Sequence, residues 1–268
     1  MPAYYNEIDP FAAQWLRNLI AAELIPAGYV DERSIEDVRP TDLAGYRQCH
    51  FFAGIGGWAR ALRLAGWPDD REVWTASVPC QPYSLASVAH GGAKGPGDDR
   101  DLWPVFAPLL RECAPSTVFG EQVASCIQWG WWDRAAMDLE GCGYAAAASV
   151  LRADAFGADH ERKRLYWMAH AGRTGRQGYQ HVSRLPVAET AALTFDGDTL
   201  ARARRALDGD YANLLPRDGV SVEMERRATK GYGNAIVPQV AAGFIRAAMT
   251  HGDKLSPYAV QDGKVQPK

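Results

Sequence analysis

The chain has 268 residues, of which 47% are hydrophobic, and 29 Lys and Arg against 32 Asp and Glu give a formal charge of −3. This composition excludes a disordered chain, a collagen and a disulfide miniprotein. At roughly 100–200 residues per domain, the length predicts one large domain, or a large one with a small one. No run reaches the roughly 18 consecutive apolar residues of a membrane span, and the first residues lack a signal-peptide pattern. We therefore expect a cytoplasmic protein.

The five cysteines are odd in number and include no Cys-x-x-Cys pair. The sequence therefore indicates neither a disulfide framework nor a zinc site. Charge is distributed unevenly: residues 1–50 carry four Arg and eight Asp or Glu, whereas residues 159–230 carry thirteen Lys or Arg and ten Asp or Glu. The second stretch is a candidate to face a polyanion. Ordinary variation of surface charge explains the imbalance equally well.

Strands and helices alternate along the first 170 residues. Tyr4–Ile8 predicts a short strand, and Asp9-Pro10 opens a helix whose apolar residues recur at helical spacing until a break at Pro26–Gly28. Further strands are predicted at His50–Ala53, Glu72–Val78, Ser116–Phe119 and Leu165–Ala169, with helices at Ala59–Leu64 and Leu102–Leu110. This alternation is typical of an α/β fold with a mostly parallel sheet.

The alternation weakens after residue 170. Turn residues accumulate over 171–230, which predicts a small separate lobe. The apolar pattern after Pro238 predicts a helix that returns 231–250 to the main domain, and the polar residues 251–268 predict a frayed tail. The domain assignment is therefore a main domain at 1–170, a lobe at 171–230, a return helix at 231–250 and a tail.

Three short segments at predicted strand ends have the composition of reactive sites. Phe51–Gly57 is a glycine-rich strand-to-helix turn, whose free backbone N–H groups suit a ligand, although packing alone explains such a turn equally well. Cys80 has prolines on both sides, which suits an exposed nucleophile better than a buried thiol. Glu121 follows an apolar strand, where partial burial raises a carboxyl pKa toward neutrality; a solvated loop acid is the alternative.

Five motifs, in this order, resemble those of the DNA cytosine-5 methyltransferases of prokaryotic or phage type. They are Phe52–Gly57, Pro79-Cys80-Gln81, Glu121-Gln122-Val123, His160–Arg164 and Gly233-Asn234-Ala235. Gln122 stands where the family has Asn, and His160 where it has Gln. We expect the function to survive, because Gln122 still supplies an amide that can hold the loop. The resemblance implies a Rossmann-like fold that binds S-adenosylmethionine and carries a small target-recognition lobe.

The resemblance also implies the roles of four catalytic residues. Cys80 would add to C6 of a cytosine flipped out of the duplex, Glu121 would stabilise the charge at N3, and Arg162 and Arg164 would hold the base or its phosphate. The methyl group would pass from S-adenosylmethionine to C5 without a metal. The implied cofactor contacts are Glu7, Ile8, Ser34, Ile35, Phe52, Ala53, Gly54, Ile55, Gly56, Gly57, Pro82, Asn234 and Ala235. For Phe52, core packing is an equal alternative.

The partner implied by the resemblance is double-stranded DNA, bound by a monomer in the cytoplasm of a bacterium or a phage-infected host. The implied DNA contacts lie in the glycine-rich loop after Cys80 and in the small lobe. They are Gln81, Ser84, Arg100, Arg173, Arg176, Arg184, Arg202, Arg204 and Arg205. Solvated surface is the alternative for these arginines. For the cluster of Trp129, Trp131 and Trp132, core or interface packing is favoured over base stacking.

The spacing departs from the family before Cys80. Only 23 residues lead from Gly57 to Cys80, too few for the two strands and the helix that the family has there. Tyr5–Asp9, the helix after it and Arg33–Val38 resemble those elements, which implies their transposition to residues 1–45. Glu7 would then contact the cofactor ribose, and Ser34 would stand where the family has Asp. An unrelated N-terminal helical extension is the alternative.

Three alternatives to DNA methylation remain open at this stage. Some relatives modify cytosine in tRNA, and a sulfonium donor that carries a group larger than methyl would use the same residues. A catalytically inactive DNA-binding relative is the third alternative. The presence of Cys80, Glu121 and Arg164 together argues against it.

Overall fold

The computed structural model describes residues 2–79, 101–156, 162–171, 188–189, 235–255, 258–261 and 264–267. Eight strands form one sheet in the order β2-β1-β3-β4-β5-β7-β6-β8. These strands are β1 (Ala3–Asn6), β2 (Gly28–Asp31), β3 (Gln48–Phe51), β4 (Val73–Ala76), β5 (Thr117–Val123), β6 (Tyr144–Arg152), β7 (Lys163–Ala171) and β8 (Ala188–Glu189). Two further strands, β9 (Tyr258–Gln261) and β10 (Lys264–Pro267), form an antiparallel pair. The helices are α1 (Pro10–Ala21), α2 (Gly57–Ala65), α3 (Trp103–Cys113), α4 (Trp131–Gly141) and α5 (Pro238–Leu255).

The strands β1 to β5 are parallel, and β7 is antiparallel to both β5 and β6. The carboxyl ends of the five parallel strands therefore meet at one edge of the sheet. The amino end of β7 lies at the same edge, because β7 runs in the opposite direction. We call this edge the carboxyl edge. In open α/β sheets it is the usual location of ligands.

Helices cover both faces of the sheet. The first face packs against α1, α2 and α5. The second face packs against α3, α4 and two short 3-10 helices, Ile35–Asp37 and Pro40–Leu43. Successive strand residues alternate between the two faces, so that Tyr5 joins the first-face core and Tyr4 the second. None of the helices within the described residues is long and apolar enough to cross a membrane.

The helix α1 begins at a complete N-terminal cap. Asp9 accepts hydrogen bonds from the backbone N–H groups of Phe11 at 2.8 Å and Ala12 at 3.2 Å. Pro10 occupies the first helical position, where its missing N–H costs nothing. The carboxyl end of β1 is thereby held close to the start of α1.

One crossover connection has an unusual hand. From β1 to β2 the chain moves toward the β2 edge of the sheet, and α1 lies on the first face. From β4 to β5 it moves away from that edge, and α3 lies on the second face, so these two connections have the same hand. From β3 to β4 the chain also moves away from the β2 edge, but α2 lies on the first face. The β3-α2-β4 connection therefore has the opposite hand. Since about 98% of such crossovers are right-handed, we assign the left hand to this one.

The predicted α/β class is confirmed, but several predicted strand boundaries are wrong. β1 ends at Asn6 rather than Ile8, and β3 ends at Phe51, before the glycine turn. β5 continues four residues beyond the predicted end at Phe119, because β7 pairs with it as far as Val123. Glu121 consequently lies inside a strand and not in a loop after it.

Candidate functional site

The end of β1 and the glycine turn after β3 meet at the carboxyl edge. Glu7 follows β1, and its Oε2 accepts a hydrogen bond from the backbone N–H of Gly54 at 2.6 Å. Its Oε1 accepts one from the N–H of Asp9 at 2.9 Å. Burial raises the pKa of Glu7, although these two hydrogen bonds oppose the rise. The carboxylate therefore joins the N-terminal segment directly to the glycine turn.

The glycine turn has a strained backbone and open space beside it. Phe52 has a φ of 51°, which is unusual for a bulky residue. The rings of Phe52 and Phe106 pack edge to face with their centroids 6.3 Å apart, so Phe52 also packs against the second-face core. Gly54 has a φ of 55°, and no atom would lie within 4 Å of a Cβ added there. The turn is thus held in place on the side of Phe52 and leaves room for a ligand on the side of Gly54.

Ile8 projects from this edge with 63% of its surface exposed. An apolar residue before a helix cap often packs on the fourth helical residue, but here that residue is Ala13, which is fully buried. The exposure of Ile8 therefore leaves an apolar surface next to Glu7. Ile35 is different, because it is only 4% exposed and belongs to the second-face core. Ser34 is half-buried and caps the short helix by accepting a hydrogen bond from the N–H of Glu36 at 3.4 Å.

The start of α5 approaches the same edge. Ala235 is half-buried, and Ile236 follows it with 7% exposure. Only glycine fits at position 57, since a Cβ there would lie 2.7 Å from Cγ1 of Ile236. The Phe52–Gly57 turn and the residues before α5 are therefore in direct contact, as a shared ligand site requires.

Glu121 lies on β5, buried beside two arginines. Its Oε1 is 2.9 Å from Nε of Arg164. Arg164 pairs in register with Val123, so it reaches Glu121 diagonally across the strands on the same face. Burial raises the pKa of the Glu121 carboxyl, and the nearby charges of Arg164 and Arg162 only partly offset this effect. Burial also lowers the pKa of Arg162. A carboxyl of this kind is suited to hold a proton near neutral pH.

Gln122 connects β5 with the residues that lead to Cys80. It is 2% exposed, and its Nε2 donates a hydrogen bond to the carbonyl oxygen of Val78 at 3.2 Å. Its Oε1 accepts one from the N–H of Val123 at 3.0 Å. Val78 lies two residues before Cys80. The Gln122 amide thus holds the chain at Val78, just before the predicted loop that contains Cys80.

Many of the predicted site residues lie outside the described residues. These are Cys80, Gln81, Pro82, Ser84, Arg100, Arg173, Arg176, Arg184, Arg202, Arg204, Arg205 and Asn234. The proposed lobe at 171–230 is also outside them, except for Ala171 and the short strand β8. Among the residues that are described, the structure brings Glu7, Ile8 and Phe52–Gly57 together at one part of the carboxyl edge. Glu121, Arg162 and Arg164 come together at another.

Tyr166 is a neighbour of this second group that the sequence analysis did not single out. It pairs in register with Glu121 and is 2% exposed. Its position two residues after Arg164 in a predicted strand was the available signal, because alternate residues share a face. Of the three clustered tryptophans, Trp131 and Trp132 are buried in the second-face core, whereas Trp129 is 40% exposed.

This arrangement provides the parts of a two-sided site. One side offers a carboxylate, an exposed isoleucine and a glycine turn with free space, which suit a ligand with hydroxyl groups and an apolar ring. The other side offers a buried carboxyl and two guanidinium groups, which suit a polar base and its phosphate. Within the described part of the chain, no three His, Cys, Asp or Glu residues are grouped so as to hold a metal ion.

Residues 67–191 match the sequence profile of the family described as C-5 cytosine-specific DNA methylase. The Type II methyltransferase M.AplI of Arthrospira platensis is 28% identical over 140 residues, which cover 51% of this chain and 36% of that protein. Residues 67–191 are therefore similar to the C-5 cytosine-specific DNA methylases. The match spans about a third of the length of M.AplI, so the activity of that whole protein does not transfer directly.

Two solved structures share the fold of this chain. The Dnmt2 methyltransferase of S. pombe superposes with a TM-score of 0.51 at 12% identity, and the methyltransferase EhMeth of Entamoeba histolytica superposes with 0.50 at 12% identity. Each comparison covers 93% of this chain and 98% of the other. The Rossmann-like α/β fold that the sequence resemblance implied is therefore confirmed.

Proposed function

We propose that this protein transfers a methyl group from S-adenosylmethionine to C5 of cytosine in double-stranded DNA, through a covalent adduct with Cys80. The observation that carries the proposal is the buried Glu121, which lies beside Arg164 on the strand next to the one leading to Pro79-Cys80. The match of residues 67–191 to the C-5 cytosine-specific DNA methylase profile supports cytosine C5 as the site of transfer. Flipping the cytosine out of the duplex would give the protein access to both C5 and C6.

Glu121 acts on the base in this proposal. Its raised pKa keeps a proton available for N3 of the cytosine, where negative charge develops as a nucleophile adds at C6. Arg164 and Arg162 lie beside the carboxyl and can each offer several N–H donors to the base or the adjoining phosphate. The two arginines thus fix the base while the carboxyl polarises it.

Cys80 forms and then breaks the covalent bond. Its thiolate adds to C6, and the electron pair of the C5–C6 double bond makes C5 nucleophilic. After C5 has gained the methyl group, loss of the C5 proton returns an electron pair to the ring and expels the Cys80 thiolate. Gln122 supports this role, because its amide holds the carbonyl group of Val78 two residues upstream.

The residues at the β1 and β3 ends fit S-adenosylmethionine. The cofactor, when bound, supplies an electrophilic methyl group. The open space beside Gly54 admits a ligand, and the carboxylate of Glu7 retains acceptor capacity for ribose hydroxyl groups. The exposed Ile8 offers an apolar surface for the adenine ring. We assign the carboxylate end of the cofactor to Ala235 and Asn234, since Ile236 contacts Gly57.

The transposition of the N-terminal elements is part of this proposal. Doubly wound sheets usually have the order 3-2-1-4-5. If β3 is given the first place, β1 and β2 occupy the second and third places, although they precede β3 in sequence. The left-handed β3-α2-β4 connection also supports the transposition. In an untransposed chain α2 would lead from β3 to β1, and its place on the first face would then give the usual hand.

The proposed DNA contacts extend beyond the described residues. Gln81, Ser84 and Arg100 would contact the nucleotides around the flipped cytosine, and the arginines of 171–230 would read or track the duplex. The protein would act as a monomer in the cytoplasm. If these arginines neutralise phosphates, the affinity for DNA should fall steeply as the salt concentration rises.

The first experiment measures the reaction and its nucleophile. Duplex DNA is incubated with the protein and S-adenosylmethionine, and its nucleosides are analysed by mass spectrometry, beside the Cys80→Ala variant. We expect 5-methylcytosine with the wild type and none with the variant, whereas the half-buried Cys113→Ala control should retain activity. Methylation of tRNA but not of duplex DNA would contradict the DNA substrate, and activity in Cys80→Ala would contradict the mechanism.

The second experiment tests the cofactor site. Glu7→Ala should weaken the binding of S-adenosylmethionine about tenfold or more, because it removes a charged acceptor from the site. The exposed Glu32→Ala serves as the control, since it removes a carboxylate of the same N-terminal segment whose ion-pair partner is Arg17. Isothermal titration calorimetry measures both affinities. An unchanged affinity in Glu7→Ala would contradict the transposed cofactor site.

A further inference from the structure

Tyr166 lies beside Glu121 on the first face of the sheet. The two residues are partners in the antiparallel register of β5 and β7. Partners in this register share a face, as shown by the hydrogen-bonding distance of 3.1 Å between Thr117 Oγ1 and His170 Nδ1 on the same two strands. Side chains of directly opposite residues are close enough to contact. The Tyr166 ring therefore forms one wall beside the Glu121 carboxyl.

The ring is fixed on its other sides by aromatic residues from two helices. Trp58 of α2 meets it edge-on, with ring centroids 6.1 Å apart and an angle of 73°. Phe244 of α5 lies 5.9 Å away. Tyr166 is 2% exposed, so the ring also separates the carboxyl from water on this side. Trp58 and Phe244 therefore fix both the position and the orientation of the Tyr166 ring.

Tyr166 also adjoins the start of α5. Burial raises the pKa of its hydroxyl group, and the backbone N–H of Val237 is one of the groups that oppose this rise. Val237 follows Ala235 by two residues, and its neighbour Ile236 contacts the glycine turn at Gly57. Tyr166 thus connects the strand pair that carries Glu121 to the chain that adjoins the proposed cofactor site.

We propose that Tyr166 is a positioning residue for Glu121, with its ring beside the acid in the register of β5 and β7 and held there by Trp58 and Phe244. The inference rests on the proposed function, since it concerns the same reaction. Three charged groups face this position, namely Glu121, Arg162 and Arg164. Tyr166 touches neither a reacting atom nor a substrate in this assignment, and it acts through the carboxyl alone.

The test compares two tyrosine-to-phenylalanine variants. Tyr166→Phe keeps the ring and removes its hydroxyl group, whereas Tyr144→Phe removes a hydroxyl group that donates a 2.8 Å hydrogen bond to the Pro115 carbonyl oxygen at the opposite edge of the sheet. We expect similar small losses of melting temperature from both. Only Tyr166→Phe should lower kcat, by about threefold to tenfold, with the dissociation constants for DNA and S-adenosylmethionine within about twofold of wild type.

The pH profile adds a readout that a purely structural role would not change. Activity that needs protonated Glu121 declines as the pH rises through the pKa of this group. A looser ring admits water and lowers that pKa, so the decline should begin at lower pH in Tyr166→Phe and at still lower pH in Tyr166→Leu. Tyr144→Phe should follow the wild-type profile.

A double variant separates action through Glu121 from general damage. In the Glu121→Gln background, the change Tyr166→Phe should alter the single-turnover rate by less than about twofold, because the group on which it acts is absent. An equal loss in both backgrounds would overturn the proposal, as would wild-type kcat and pH profile in Tyr166→Phe. A wild-type protein that methylates neither DNA nor tRNA would instead refute the proposed function.

Discussion

The two halves of the sheet each contain a buried acid paired with an arginine, and the two acids have opposite pKa shifts. Asp31 ends β2, is 1% exposed, and receives Nη2 of Arg33 at 2.7 Å and the Tyr4 hydroxyl group at 2.7 Å. Burial alone would raise the pKa of Asp31, but the hydrogen bonds from Arg33 and Tyr4 together lower it. Burial raises the pKa of Glu121, and the 2.9 Å contact with Arg164 only partly offsets this rise.

The difference follows from the number of donors that reach each carboxylate. Both oxygens of Asp31 accept hydrogen bonds from Arg33, whose backbone N–H also donates to Oδ1 at 3.0 Å. Glu121 has Nε of Arg164 at 2.9 Å and the ring of its register partner Tyr166 beside it. A fully satisfied pair suits a structural role, because the ionised form is stable. A poorly satisfied pair keeps a proton that can be used in chemistry.

The largest expected effect comes from removing the proton of Glu121. Glu121→Gln should lower kcat by about 10²–10⁴-fold, the usual contribution of a general acid. In wild type, kcat/KM should decline as the pH rises through the raised pKa of Glu121, and this decline should be absent in the variant. Rates of methyl transfer across pH measure both effects.

The matched change in the other half is Asp31→Asn. It should lower the melting temperature and leave the pH dependence of kcat/KM as in wild type, because Asp31 is ionised throughout this range. A loss of kcat as large as that of Glu121→Gln would remove the distinction between the two acids.

The next largest effect comes from a methyl group at Gly120, the residue before Glu121. A Cβ there would lie 2.1 Å from the Trp167 ring, which is fully buried. Gly120→Ala should cost about 2 kcal/mol of stability and also lower kcat, because the strand that carries Glu121 must shift. Chemical unfolding and kinetics measure the two losses.

Gly28→Ala provides the matched change in the N-terminal half. A Cβ there would lie 2.3 Å from the Ala3 carbonyl oxygen, so a similar loss of stability is expected. At a temperature where both variants are folded, only Gly120→Ala should have a reduced kcat. Equal losses of kcat would mean that the two halves respond as one unit.

A smaller effect is expected from Arg33→Met, which leaves Asp31 buried without its main partner. The loss should be about 1–2 kcal/mol, because Arg33 is 46% exposed and water screens the pair. The lowered pKa of Asp31 contributes stability that is present above its ordinary value and is lost as the pH falls. The variant should therefore lose less stability than wild type on acidification, as measured by melting temperature from pH 7 to pH 3.

The smallest expected effect concerns His50, between the two halves on β3. It is 1% exposed, its Nδ1 lies 2.8 Å from Thr75 Oγ1, and burial lowers its pKa from 6.5 to about 3. Neutral His50 contributes stability that is present above pH 6.5 and declines as the pH falls toward the folded-state pKa. His50→Gln should flatten the melting temperature between pH 6.5 and pH 4. An unchanged slope would contradict this assignment.

Residue type alone predicted the glycine turn, because glycines after an apolar strand are local chemistry. The roles of Glu121 and Gln122 came from the family resemblance, since the residues alone left Glu121 either partly buried or a solvated loop acid. The residue pattern did not predict β2, because its four residues begin at Gly28, which is typical of a break; only the resemblance implied a strand end nearby, at Arg33–Val38. β6 was missed because its alanine-rich sequence does not favour a strand, and its pairing with β7 is a tertiary effect. The proximity of Tyr166 to Glu121 depends on the same pairing.

The left-handed connection was also beyond local reasoning, because handedness depends on the face that a helix covers. The spacing before Cys80 indicated that elements were out of order. It contained no information on which side of the sheet α2 would pack. That choice is made by the contacts of Trp58, Ala61 and Leu62 with the first-face core.

The order of the strands also has a consequence for how the chain folds during synthesis. β1 pairs with both β2 and β3, so residues 3–51 contain three adjacent strands and the helix that covers them. In the usual order the corresponding strands also emerge early, but there the central one is made second and the outer one last. Here the central strand, β1, is made first, and its two partners, β2 and β3, are made after it. We expect the nascent chain to form this three-stranded unit before β4 is made, since its contacts are close in sequence.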